Sequence, residues 1–253
     1  MTNQEILSIA LSQSAIDCNC KSEDFLAEKN VITFSRPSAG ARKYLPLPLE
    51  CDLVSYGSNI VAQVSEHTLG PVRDFIGRYP AMRCFETPNL LALDDALRPL
   101  DLRVCFMAEY FLPDVTRLRA LSCPYSLRIL TDFSSLYTGP WNNALSPDHP
   151  ERDVLGVGAY DGGALVGLAA CSADCETMYQ IGVDVLPAYR RQGVAAAVTS
   201  RLALEILALG KVPFYCAAWS NIQSVRNAVT CGFRPAWVEL TARETAFVDR
   251  MNA

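Results

Sequence analysis

The C-terminal half of the chain alternates between two apolar periods. DVLGVGAYDGGALVGLAACS (153–172) holds two apolar runs separated by Asp161-Gly162-Gly163, a spacing that predicts two strands joined by a tight hairpin turn. TMYQIGVDVLP predicts a further strand closed by Pro187, and VAAAVTSRLALEILALG (194–210) has helical apolar spacing that stops at Gly210. VPFYCAAW reads as a short strand, SVRNAVTCG as a helix opened by Asn221 and stopped by Gly232, and PAWVELTARETAFV as one or two final strands. Hairpin, strand, helix, strand, helix, strand predicts helices layered on a mixed sheet.

The N-terminal half is less regular. TNQEILSIALSQS and SEDFLAEK predict helices and NVITFSR a strand, while LPLPLECDLVSYGSNIVAQVSE predicts one or two more strands. HTLGPVRDFIGRY, a strand at AMRCFE, a helix at PNLLALDDALRPL and a strand at DLRVCFMAEYFLP complete a second α/β layer. A boundary between 115 and 130 is expected, giving an N-terminal α/β domain over 1–120 and a C-terminal domain over 121–253. The order AMRCFE, helix, RVCFMAEYFLP echoes the C-terminal strand–helix–strand. That echo is read either as a degenerate copy of the C-terminal half or as a pattern common to any α/β layer.

Composition narrows the possibilities. Half of the 253 residues are apolar and 19% are charged, which argues against a disordered chain. A net charge of −5 disfavours general nucleic-acid binding, which needs a basic face. The longest apolar run, GALVGLAACSA (163–173), falls short of the ~20 residues that span a bilayer, so no membrane association is expected. Ten cysteines are scattered rather than framed for disulfides. With only His67 and His149 beside Cys18/Cys20 and Cys171/Cys175, they do not form a usual zinc set. Buried thiols, no metal, and a reduced cytoplasmic setting are the expectation.

The candidate chemistry lies at PAYRRQGVAAAV (187–198), a strand-to-helix junction. The first turn of a helix leaves backbone N–H groups unpartnered beside the positive end of the dipole, which suits an anion. Gly193 permits unusual backbone geometry, Ala195 and Ala196 keep the approach open, and Arg190 and Arg191 add charge. A plain surface turn with incidental arginines followed by a core helix is the alternative.

Arg190-x-x-Gly193-x-Ala195 after Val185-x-Pro187, followed by a long helix, PFYCAAW and Asn221…Ser224…Gly232-Phe233, resembles the GNAT superfamily of N-acetyltransferases over roughly the last half of the chain. The resemblance implies a GNAT fold: a mixed, mostly antiparallel sheet flanked by helices and split between two parallel strands, here with an additional N-terminal α/β domain. It implies acetyl-CoA as co-substrate, with Val183 and Val185 pairing with the pantetheine arm. Arg190, Arg191, Gln192, Gly193, Val194, Ala195 and Ala196 would hold the pyrophosphate, Asn221 the pantetheine, and Ser224 would stand near the sulfur. For Asn221 and Ser224, helix capping is the competing role.

The implied reaction is direct attack of a primary amine of a small molecule on the thioester within a ternary complex. The position at which the family often carries a tyrosine acid is Ala228. Glu176 and Tyr179 are the candidate catalytic groups, each weighed against solvated loop or strand packing. Tyr215 and Cys216 are read first as core. A non-catalytic acyl-CoA sensor and an acetyltransferase acting on protein or peptide amines are the rival functions, and a homodimer is left open.

Overall fold

The computed structural model describes residues 1–253. In chain order, helix α1 (Asn3–Asp17) precedes strands β1 (Val31–Phe34), β2 (Cys51–Ser55) and β3 (Val61–Val64). Helices α2 (Leu69–Arg78) and α3 (Thr87–Leu97) lead to β4 (Leu102–Pro113) and β5 (Ser126–Leu130). The hairpin β6 (Asp153–Asp161) and β7 (Ala164–Ser172) is followed by β8 (Met178–Val185), α4 (Val194–Ala208) and β9 (Val212–Ala217). Helix α5 (Ile222–Thr230), β10 (Phe233–Glu244) and α6 (Thr245–Asn252) close the chain.

Contacts divide the chain at Tyr110/Phe111 and put both termini across that line. One unit comprises Met1–Ala10 with Phe111–Pro235, the other Leu11–Tyr110 with Ala236–Ala253. A single cut at 120/121 does not describe this division, because each unit is discontinuous in sequence.

In the unit containing 111–235, β5, β6, β7 and β8 pair antiparallel in succession, and β8 pairs parallel with β9. Side chains alternate between two apolar layers. Ala169, Cys171, Ile181 and Tyr215 join Val194, Val198, Leu202, Ile206 and Ala228 beneath α4 and α5. Leu168 and Ala170 meet Phe133, Trp141, Ala144 and Leu145 of the 131–150 segment on the opposite face. Burial on both faces explains why β7 reads as a nearly unbroken apolar run.

In the other unit, β3 lies between β1, to which it is parallel, and β2, to which it is antiparallel; β2 pairs antiparallel with β10. One face packs Cys51, Leu53, Leu240 and Ala242 against Val72, Phe75, Ile76, Leu93 and Leu97 of α2 and α3.

Four expectations need correction. AMRCFE is not a strand: Ala81–Phe85 is a 3₁₀ turn between Pro80 and α3. Its burial comes as the adjacent pair Cys84 and Phe85 rather than in alternation. The strand–helix–strand echo of the C-terminal half therefore loses its first strand. SEDFLAEK forms only a 3₁₀ turn over Ser22–Leu26. The final apolar stretch is one strand to Glu244, within the one or two expected, but its last four residues, TAFV, belong to the exposed helix α6 and not to a strand.

Candidate functional site

The ladder between β8 and β9 is short. Met178 pairs with Val212, Tyr179 with Pro213 and Gln180 with Phe214, whereas β8 continues to Val185 and β9 to Ala217. Two parallel strands thus open into a fork just beyond Gln180 and Phe214. On the far side β8 stays registered with β7, Gly167 opposite Val185 and Ala169 opposite Val183. Leu186 N donates to Val166 O (3.0 Å), which makes Gly167–Val185 a non-hydrogen-bonded pair of the antiparallel ladder. By the two-residue period, the backbone N–H and C=O groups of Val185, Val183 and Ile181 therefore point away from β7, into the fork. The backbone polar groups of Val183 and Val185 are thus directed along the edge of β8 that faces the fork.

The turn into α4 follows directly. Arg191 (φ 62°) and Gly193 (φ 79°) both lie in the left-handed region and fold the chain sharply into the first turn of α4. At Gly193 that conformation suits a residue without Cβ; an added Cβ would also stand 3.4 Å from Ser122 O. The first hydrogen bond of α4 runs from Ala197 N to Gly193 O (3.0 Å). The amides of Val194, Ala195 and Ala196 accordingly have no carbonyl one turn back and lie at the positive end of the helix dipole.

The side chains of the loop are arranged differently from the expectation. Arg190 Nε donates to Val185 O (3.1 Å) across the mouth of the fork. Gln192 is tied by Tyr125 Oη, which donates to its Oε1 (2.5 Å), and by its own Nε2 donating to Ala188 O (3.1 Å). Gln192 thus braces the loop through its side chain and offers an anion only its backbone. Arg190, Arg191, Gln192 and Gly193 are exposed, Val194 is buried, and Ala195 and Ala196 are half-buried.

At helix α5, Asn221 Oδ1 accepts from Ser224 N (3.2 Å), an N-cap. The Ser224 hydroxyl lies 2.8 Å from Tyr215 Oη. Tyr215 is the first β9 residue beyond the paired segment and is buried. Burial pushes its phenol above the usual range, opposed by the contacts with Ser224 and Asn227. Asn227 Nδ2 in turn donates to Thr199 Oγ1 (3.0 Å) on α4. Ala228 is fully buried.

Glu176 and Tyr179 are not brought together at the fork. Glu176 precedes the closed end of the β8–β9 ladder, where its carbonyl accepts from Lys211 Nζ (2.7 Å). The three paired residues 178–180, about 10 Å of strand, separate it from the opening. Tyr179 sits within the ladder, half-buried against the α4–α5 layer. Burial raises its phenol, with Cys171 and Cys175 adding to the shift.

Three features of the site escaped the sequence reading. Gln180 Nε2 donates to Cys216 Sγ (3.0 Å), bridging the base of the fork. The Asp184 carboxylate accepts from Asn143 N (2.8 Å), Asn143 Nδ2 (2.7 Å) and Ala144 N (2.9 Å). These bonds clamp the 131–150 segment onto the face of β8 opposite α4. Gly182 makes that approach feasible, since a Cβ there would meet Asn143 O at 1.9 Å. Asp184, a lone acid inside the apolar strand IGVDV, was the one visible hint. All ten cysteines are free, no His/Cys/Asp/Glu group is placed to hold a metal ion, and no helix is long and apolar enough to cross a membrane.

A parallel strand pair thus forks beside a helix start whose first backbone amides have no carbonyl partner, an arrangement that can accommodate an extended chain with an anionic end. The family model described as GNAT acetyltransferase matches residues 130–236, so this segment of the chain is similar to that family. Among solved structures, a GNAT-family protein from Novosphingobium aromaticivorans is 20% identical with a TM-score of 0.45, covering 56% of this chain and 66% of that one. A GCN5-related N-acetyltransferase-like protein from Streptococcus suis is 20% identical (TM-score 0.44; 61% and 69%). A GCN5-related N-acetyltransferase from Kribbella flavida is 17% identical (TM-score 0.44; 58% and 62%). The chain thus spans about two thirds of the length of these structures. No curated protein matches it.

Proposed function

We propose that the protein transfers an acetyl group from acetyl-CoA to a primary amine of a small molecule by direct attack in a ternary complex. The observation that carries this reading is the continuity of the fork edge and the cradle. The outward-facing backbone groups of Val183 and Val185 lead to the unpartnered amides of Val194–Ala196. A long ligand with a pyrophosphate at one end matches both parts. Acetyl-CoA supplies the activated acetyl group.

The chain's own residues then bind and orient. The amides at the start of α4 take the pyrophosphate, with Arg191 as an exposed counter-charge. Val183 and Val185 hydrogen-bond the pantetheine in the manner of an added strand. Asn221 caps α5 and so fixes the position of Ser224. On the opposite face, the Asp184 clamp holds the 131–150 segment beside the fork as one wall for the acceptor. The proton lost by the amine passes to water.

A non-catalytic acyl-CoA sensor is the second reading, and buried Ala228, where the family often carries a tyrosine, is the feature that favours it. Acceptance of a protein or peptide amine is the third.

Calorimetry with CoA and thiol release from acetyl-CoA with an amine panel separate these readings. Binding together with amine-dependent thiol release supports transfer, and binding without it supports the sensor. Gly193→Asp places a side chain and a negative charge in the cradle and should weaken CoA binding at least about tenfold while the protein stays folded. Unchanged affinity would remove the cradle from the reading.

A further inference from the structure

In the unit made of Leu11–Tyr110 and Ala236–Ala253, the sheet has one apolar and one polar face. Cys51, Leu53, Ala62, Leu240 and Ala242 belong to the apolar layer, so by alternation Asp52, Gln63, Glu239 and Thr241 share the opposite face. Register puts Gln63 of β3 and Thr241 of β10 on either side of Asp52 of β2. Each of the three carries a buried oxygen without a hydrogen-bond partner: Gln63 Oε1, Asp52 Oδ1 and Thr241 Oγ1. The other Asp52 oxygen accepts from Gln63 Nε2 at 3.4 Å. Asp52 is only 2% exposed.

Asp52 borders a cavity closed by Ser14 and Asp17 of α1, by Arg42 and Leu45, and by Glu239 of β10. About 10 Å³ is open there to the centre of a water-sized sphere, room for a single such occupant. Three carboxyls face this space with one guanidinium, and that guanidinium is engaged. Arg42 Nη1 donates to Asp17 Oδ2 at 2.5 Å, and Asp17 Oδ1 accepts from Arg42 N (2.8 Å) and Gln13 Nε2 (3.0 Å). Glu239 feels the Arg42 charge and accepts hydrogen bonds from Trp237 and Tyr110. Asp52 is therefore the acid with the least compensation. The space calls for an occupant that is water-sized, positively charged and rich in donors. No set of acids and thiols is placed to ligate a metal ion.

We propose that this cavity binds an ammonium group, with Asp52 Oδ1 as its principal acceptor and Glu239 as the second negative charge. The group is the free ion or the end of a small primary amine, which present the same N–H donors; a tail would leave past Leu45, which is half-buried. The site lies wholly within this unit and does not rest on the acetyl-CoA reading. A proton is the competitor, because burial and then the Glu239 charge raise the Asp52 carboxyl. The other groups facing it are Asp17 and Cys18 at the end of α1, Arg42 with Tyr44 beside it, Tyr56 after β2 and Tyr110 of β4; β1 and β3 contribute none. Burial keeps Cys18 and Tyr56 protonated, so the charge is set by the three acids and Arg42.

The test is thermal melting of the full chain at pH 8 in amine-free phosphate buffer, with ammonium, sodium or potassium chloride at matched ionic strength. Above its Kd, ammonium should raise Tm by about 3–5 °C per tenfold increase in concentration, and sodium should not. Potassium, close in size but without N–H donors, should bind at least about tenfold more weakly. Asp52→Asn keeps the side-chain shape, removes the charge and should weaken ammonium at least about tenfold; its melt in ammonium-free buffer reports its folding. Glu239→Gln is the second variant, expected to weaken ammonium in the same direction. At pH 5 the ammonium slope should shrink, because the proton then occupies Asp52. Methylammonium matching ammonium assigns the site to the end of an amine, and an inert methylammonium assigns it to the free ion. Equal slopes in ammonium and sodium would leave a water-filled cavity and overturn the proposal. So would a potassium response equal to that of ammonium, or an ammonium slope unchanged in both variants.

Discussion

Gly182→Ala is a small change with a large predicted effect. The added Cβ would lie 1.9 Å from Asn143 O, 2.9 Å from Asn143 C and 3.1 Å from Ala144 Cα. All three are backbone atoms, so no rotamer change relieves the clash, and the 139–145 stretch must lift from β8 by more than about 1 Å. Overpacking of this kind costs about 1–3 kcal/mol. The same lift stretches the three bonds of 2.7–2.9 Å that Asp184 accepts from Asn143 and Ala144. Their partial solvent access limits that further loss to about 1–2 kcal/mol. A total near 3 kcal/mol should lower Tm by about 6–12 °C in a chain of this size, read by calorimetry or dye-monitored melting. The cycle with Asp184→Ala sharpens the test, because that variant releases the same segment without adding an atom. The two changes should be less than additive by about 1–2 kcal/mol. A Tm within about 2 °C of wild type for Gly182→Ala, or full additivity in the cycle, would refute the clamp as described.

Two further outcomes follow from other parts of the molecule. Asn221→Ala removes the cap on α5 and should cost about 1 kcal/mol in urea unfolding; if Asn221 also bonds the pantetheine, CoA affinity will fall as well, whereas a pure cap leaves it within about twofold. In the second unit, burial raises the Asp52 and Glu239 carboxyls above their ordinary values; the Glu239 charge adds to the rise at Asp52, and the Asp17 charge to that at Glu239. A raised folded-state pKa means that the folded protein holds these protons more tightly, so their contribution to stability is present below about pH 4 and is lost as pH climbs through the folded values. Asp52→Asn should therefore gain stability over wild type at pH 8 and gain little at pH 4. Parallel wild-type and variant denaturation curves at both pH values would contradict that sign.

The C-terminal elements were legible because each carried its own punctuation. Asp161-Gly162-Gly163 closes the β6–β7 hairpin, Pro187 ends β8, and Gly210 and Gly232 end the two helices. AMRCFE misled because aromatic and apolar residues in a six-residue window fit a strand and a helical turn equally well. Only the tertiary burial of Cys84 with Phe85 decides between them. The tight turn into α4 could be read from Gly193 and its small neighbours, but the contacts of Arg190 and Gln192 could not. Their partners, Val185 O and Tyr125, are set by the turn and by a residue far back in the chain. Tyr215 and Ser224 lie nine positions apart on different elements and carry no shared spacing rule. The Asp184 clamp depends on a segment some forty positions upstream that has no periodicity of its own.

The contact division at Tyr110/Phe111 bears on how this protein can be cut. A fragment beginning at Phe111 keeps every residue of the fork and of the turn into α4. It also keeps Val238–Ala242 of β10 while discarding their strand partners, Cys51–Ser55. It loses Asn3, whose Oδ1 accepts from Val115 N and whose Nδ2 donates to Asp114 Oδ1. Such a piece would present an unpaired strand edge next to freshly exposed apolar surface, the usual recipe for self-association. An insoluble C-terminal half would therefore be a consequence of where the scissors fell, and would say nothing about the fork or the start of α4.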